Sequence, residues 1–411
     1  MVESDFVITK ILFLITVVFL FYFLFYLSRK TKTQKITLVL LTIQLSISLL
    51  RYQQFGLIAD ENTYHSTGLN LMNSLNNGQG FQNYGVGPGK ESFTFILGTI
   101  YYILGPYPEL GLITNAYLTS LIPSILVIAC NNLGLKSIGK LAAWLFVFSP
   151  PSLLWAAGLR RESLAFLLVS LSVLTISFVY NRRFIPGFIL FGVTYYGISI
   201  SRPQILLVLI PGVFLALFIS PKIDFKKTFY DSKNLFSNRV MIISLTLIHF
   251  IYGYSNFIDP FIKKLPTFNG YLQEISSPRF STSVLGASWQ TNSSPFEYTY
   301  NLFRSISGPP FWEWSSISMV VFGIEGIFYF VTFILVAISI KKFNLQRREI
   351  LILISCSAPL LLASTLLLGN YGINSRIRAH YLIPLIPIMA LFIRKLIQNR
   401  NTKNYIHENS V

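Results

Sequence analysis

Asp60 and Glu61 stand side by side in GLIADENTYHSTG (56–68), directly after an apolar run that ends near Tyr52. A carboxylate at the edge of a hydrophobic segment can take a proton from a hydroxyl, and Tyr64 and His65 follow at once. The pair also has a plain reading. Acids in the first turn of a helix complement its dipole, and Asp60 would cap a helix beginning near Asn62. A third carboxylate, Glu162, follows Arg160 and Arg161 in LRRESLAF (159–166), a charged turn between apolar runs that reads equally as an ordinary interfacial cluster. Towards the other end, Arg376, Arg378 and His380 alternate in GNYGINSRIRAHYLIPLIP (369–387). Arginine presents a fork of donors that suits phosphate oxygens. A lipid-linked phosphate or pyrophosphate is one partner for it, and ordinary phospholipid headgroups are the other. His65 has no partner at ligand spacing, and Cys130 and Cys356 lie far apart in apolar runs, so neither a metal set nor a disulfide framework is implied. Glu325, inside FGIEGIF, is costly in an apolar run and requires a partner or a polar cavity.

The elements that must position these groups are apolar helices. The 411 residues are 53% hydrophobic and 12% charged, and mean hydropathy is +0.57. Apolar runs recur from end to end and leave no room for a separate soluble domain. The expected fold is therefore all-α, a polytopic membrane protein with one domain over 1–411. Eleven spans are expected, at roughly 7–27, 36–54, 111–132, 139–157, 163–180, 184–200, 203–220, 240–256, 317–340, 349–368 and 381–397. The first run reads as an anchor rather than a signal peptide, because acids precede it and no small-residue cleavage site follows. SFTFILGTIYYILG (92–105) is apolar but short, about 21 Å as a helix against a hydrocarbon core of about 30 Å, and is expected to be juxtamembrane or re-entrant.

With the N-terminus outside, the inner loops carry 21 of the 33 Lys and Arg, so the net charge of +17 follows from the positive-inside rule rather than from nucleic-acid binding. Eleven of the 16 acids fall outside. The candidate chemistry therefore gathers on the face away from the cytoplasm, in four loops: 55–91, 157–163, 257–316 and 369–380. The third is rich in aromatics, whose flat apolar faces suit sugar rings, although Trp312 and Trp314 also read as interfacial belt residues.

Together these residues resemble the GT-C superfamily of membrane glycosyltransferases. ADENTYHSTG is similar to the family's acidic pair with a following Tyr in the first outer loop, at Asp60, Glu61 and Tyr64. Glu162 of LRRESLAF matches the second acidic position, and RAHYLIPLIP (378–387) is similar to the family's late Arg-Tyr-x-x-Pro-like helix start, with Arg378, Pro384 and Pro387. Two departures are visible. The helix at 7–27 is additional, and the second acid is a Glu beside two arginines rather than a lone Asp.

The resemblance implies transfer of a sugar from a polyprenyl-phosphate or -pyrophosphate carrier to a hydroxyl of a glycan, lipid or protein. It also implies a bacterial inner or plasma membrane with the site facing outward. Asp60 would be the base and Glu61 would orient a substrate. Glu162 would assist, with or without a divalent cation. Tyr64, Arg160, Arg161, Arg376, Arg378 and His380 would bind substrate. Two other classes compete: a surface-polysaccharide polymerase or ligase, and a transporter or flippase of lipid-linked sugars.

Overall fold

A computed structural model describes residues 2–79, 91–202, 205–219, 295–342, 347–367 and 371–408. Among them every regular element is helical. In chain order these are α1 Val2–Thr31, α2 Gln34–Phe55, α3 Ala59–Asn76, α4 Glu91–Leu104, α5 Pro108–Ser120, α6 Ile122–Asn132, α7 Gly139–Val147, α8 Glu162–Tyr180, α9 Phe184–Ser201 and α10 Leu206–Ile219. They continue as α11 Pro295–Ser307, α12 Ile317–Lys342, α13 Arg347–Leu367, α14 Tyr371–Leu382 and α15 Ile386–Glu408.

Among the described residues, seven helical stretches are long and apolar enough to cross a membrane: Phe13–Thr31, Gln34–Phe55, Pro108–Asn132, Glu162–Tyr180, Phe184–Ser201, Met319–Lys341 and Ser375–Asn399. The chain is thus a helical protein of multi-pass membrane character. The spans differ in what surrounds them. Only 11% of the Phe13–Thr31 window is buried, so Leu14, Val18, Phe19 and Tyr22 face outward, as suits lipid. The Glu162–Tyr180 window is 83% buried and is a core helix.

Several expected elements take a different form. The segment 139–157 is not one span: α7 stops at Val147, and after Ser149 and Pro150 the chain makes a π-helical turn, Pro151–Trp155. Proline removes a backbone donor and clashes with the preceding turn, which ends the helix there. The 203–220 span is the fourteen-residue α10, about 21 Å long, with Pro211 inside it. The expected span 240–256 and most of the aromatic loop, 257–294, lie outside the described residues. Residues 371–380, expected as an outer loop, form α14. The short apolar run at 92–105 is a separate helix, as its length requires, and packs along α3.

By internal packing the chain divides into two compact units. The first comprises Met1–Thr175, Phe188–Leu206 and Met389–Val411; the second comprises Ile176–Gly187 and Leu207–Ile388. In the first unit, Tyr64, Phe93, Leu97, Tyr101, Leu112 and Leu159 form a buried cluster drawn from α3, α4, α5 and the turn before α8. Gly98 allows the α3–α4 packing, since a Cβ there would lie 2.8 Å from Cβ of Leu71.

Candidate functional site

Gly56, with φ of 63°, ends α2, and three residues later α3 begins with Asp60 and Glu61 in its first turn. The acids thus sit where a helix dipole favours them. Along α3, Glu61, Tyr64, Gly68, Leu71 and Ser74 are buried, while Asn62, Thr63, Ser66 and Asn70 are exposed. This is a single helical stripe with Glu61 at its head.

The two neighbouring carboxylates therefore have different surroundings. Glu61 is fully buried. Its Oε1 lies 2.9 Å from Nη2 of Arg51 on α2 and 3.3 Å from Nε of Arg160. Its Oε2 accepts the N–H of Ile58 at 3.4 Å. Gly158 leaves room for this arrangement, because a Cβ there would lie 2.5 Å from Oε1. Asp60, one residue earlier, is half-buried. Of the pair, Glu61 is fixed in an ion-pair clamp and Asp60 has solvent access.

The turn that carries Arg160 is itself braced. Asn115 Nδ2 on α5 donates to the carbonyls of Gly158 and Arg160, at 2.6 and 2.8 Å. Ser163 Oγ donates to the carbonyl of Ala156 at 3.1 Å. The Arg160 guanidinium stacks on Trp155, 5.5 Å from the ring centre. Glu162 opens α8 and is ion-paired with Arg202, which follows α9. Arg161 Nη1 donates to the carbonyl of Ser201 at 3.1 Å.

Tyr64 reports on what surrounds it. Its hydroxyl pKa is pushed up to about 12, first by burial and then by Glu162, with Asp60 adding in the same direction and Arg161 and Arg202 opposing. Asp60, Arg161 and Glu162, all candidates from the sequence, therefore each lie within electrostatic reach of Tyr64 in the first unit. His65, on the same helix, is within 2.9 Å of the Tyr101 hydroxyl through Nδ1. Burial holds its pKa below the ordinary value, partly offset by Glu109.

Arg376, Arg378 and His380 belong to the second unit and sit on α14. Arg376 is half-buried, while Arg378 and His380 are fully buried. The loop reading of this stretch fails because its asparagines, glycine and charges look like loop composition, while tertiary packing encloses the helix. Glu325 has the partners its position requires: it accepts hydrogen bonds from Ser375 Oγ and, at 3.1 Å, from the Tyr329 hydroxyl.

Arg51 and Arg202 are site residues that sequence reasoning missed. A signal existed for both, since each is a lone charge at the end of an apolar run on the expected outer side. Asn115 and Gly158 carry no comparable signal. Among the described residues, no group of three or more His, Cys, Asp or Glu converges as a metal site. Comparison with protein-family models, with curated proteins and with solved structures yields no match to this chain.

Proposed function

We propose that this protein is a membrane glycosyltransferase of the GT-C kind, moving a sugar from a polyprenyl-phosphate or -pyrophosphate carrier to a hydroxyl acceptor. One observation carries the reading: Asp60 and Glu162, distant in sequence, both act electrostatically on Tyr64 beside a fixed clamp of Glu61, Arg51 and Arg160.

In the proposed step the acceptor oxygen bonds to the anomeric carbon while the bond from that carbon to the carrier phosphate oxygen breaks. The electron pair leaves with the phosphate, and the acceptor proton passes to Asp60. A single in-line displacement inverts the anomeric centre. Glu61 is a positioning residue, because its carboxylate is engaged by two arginines. Glu162, held by Arg202, assists with or without a divalent cation. Arg160 anchors the clamp, and Arg161, which acts on Tyr64 along with Glu162, supplies a cation for the carrier phosphate. Arg376, Arg378 and His380, on α14 of the second unit, are a separate set of donors suited to a phosphate.

A second reading, transport of a lipid-linked sugar, draws on Glu325, a carboxylate buried inside the candidate span Met319–Lys341. The test is incubation of purified protein with polyprenyl-phosphate sugars and a hydroxyl acceptor, with release of free carrier as readout. Release that depends on Asp60 supports transfer. Vesicle translocation of the lipid-linked sugar without release, unaffected by Asp60→Asn, supports transport.

A further inference from the structure

We propose that the second unit contains an oxyanion site built on Arg378 and covered by the segment Ser307–Trp314. The ligand chemistry is a phosphate presenting two oxygens to the guanidinium. The proposal deepens the transferase reading and rests on it only for the identity of a lipid-linked ligand.

Arg378 is the largest of the fully buried side chains. Its Nε, Nη1 and Nη2 are buried, and none has a hydrogen-bond partner among the described residues. No ion pair joins Arg378 to a described residue. Its contact is the face of Tyr329, 5.4 Å from the ring centre. A buried cation without hydrogen bonds carries a desolvation penalty of several kcal/mol, and guanidinium donors are arranged to meet two oxygens at once.

Glu325 does not meet that need directly. It lies close enough for both it and Arg378 to act on Tyr329 and Tyr381, yet its carboxylate accepts from Ser375 and Tyr329. Other charged groups on the elements packed against α14 include Arg304 and Glu313, which pair with each other, Lys341 near the end of α12, and Arg348 and Glu349 in the first turn of α13; Arg376 and His380 are on α14 itself. Glu325 thus balances Arg378 at a distance and leaves the guanidinium fork open to an anion.

The cover is built by close approach of backbone. Gly308 has φ of 72°, and a Cβ there would lie 2.8 Å from Nη1 of Arg378 and 2.5 Å from the carbonyl oxygen of Phe322. On α12, a Cβ at Gly326 would lie 1.7 Å from the Ser307 carbonyl oxygen, and one at Gly323 would lie 2.3 Å from the Trp314 indole nitrogen. The two glycines that flank Glu325 in FGIEGIF therefore form the floor on which the segment rests. Trp314 Nε1 donates to the Pro309 carbonyl at 2.9 Å and Arg304 holds Glu313, so the segment is folded on itself. Tyr381 ties the preceding helix down by donating to the Ser305 carbonyl at 2.7 Å. An oxyanion reaches Arg378 when this cover lifts.

The test uses purified full-length protein in detergent, with farnesyl phosphate and inorganic phosphate as separate probes and melting temperature as readout. Farnesyl phosphate is expected to raise the melting temperature in a saturable manner. A matching response to inorganic phosphate assigns the site to free oxyanions, and a response to farnesyl phosphate alone assigns it to lipid-linked ones. Arg378→Lys should weaken binding about tenfold or more, because a point charge loses the bidentate geometry. Glu325→Gln should tighten binding, because it removes a nearby negative charge. No response to either probe overturns the proposal, and so does unchanged affinity in Arg378→Lys. Loss of the response in Glu325→Gln also overturns it, since Arg378 would then serve only as the counter-charge of Glu325. Asp60→Asn is expected to bind the probe normally. An Asp60-dependent transferase with normal probe binding in Arg378→Lys would remove this site and leave the transferase reading standing.

Discussion

Asp60 and Glu61 are chemically alike and adjacent, and their surroundings differ. Glu61 is enclosed with Arg51 and Arg160, so removing its charge leaves buried arginine uncompensated. Glu61→Gln is expected to destabilise the protein by several kcal/mol, on the order of 3–5 for a broken buried pair and less where Arg51 meets solvent. Asp60→Asn should leave the melting temperature unchanged and lower transfer by about 10²–10⁴-fold, the usual contribution of a general base. Thermal melts and turnover on the two variants separate these outcomes. His65 gives a pH signature. Its folded pKa lies below the ordinary 6.5 because of burial, so its contribution to stability is complete above that value and is lost as pH falls through it. Stability should therefore decline from pH 7 to pH 5, and His65→Asn should flatten that decline. The adjacent acids were legible in the sequence. Which of them is engaged was not, because the arginines that engage Glu61 arrive from α2 and from the turn before α8.

At the scale of elements, glycines set how closely the site's parts approach. Gly158 lies under the Glu61 carboxylate, 2.5 Å from Oε1 by its virtual Cβ. Gly158→Ala must displace the clamp, and a cost of about 1–3 kcal/mol is expected, as for other overpacked sites. Gly192 in α9 meets nothing within 4 Å, so Gly192→Ala should leave the melting temperature unchanged or raise it. A comparison of the two melting curves checks both claims. Most long helices were legible from apolar length alone, including α1, α2, α8, α9 and α12, whose runs are unbroken. Two kinds of element were not. The PP step after Ser149 replaces one expected span with a nine-residue helix and a π turn. The α14 helix was hidden because its polar residues at 375 and 378 point inward to partners on other elements, a relation no local pattern encodes.

At the scale of the whole molecule, the account requires the acidic site and the basic loops to lie on opposite sides of a membrane. Ser66 on α3 is exposed, as is Lys136 between α6 and α7. Single cysteines at these positions, in a background lacking Cys130 and Cys356, should react differently with an impermeant reagent applied from outside. Position 66 should label and position 136 should not. Labelling at 136 would reverse or redraw the topology. The central claim is sugar transfer that depends on the Asp60 carboxylate. Its most direct measurement is release of free carrier from a radiolabelled polyprenyl-phosphate sugar by purified wild-type protein and by Asp60→Asn of equal melting temperature. The account predicts carrier release with an inverted product for the wild type, and a loss of about 10²–10⁴-fold for the variant. Equal release from both proteins, or none from the wild type across donors of differing sugar and chain length, would contradict it.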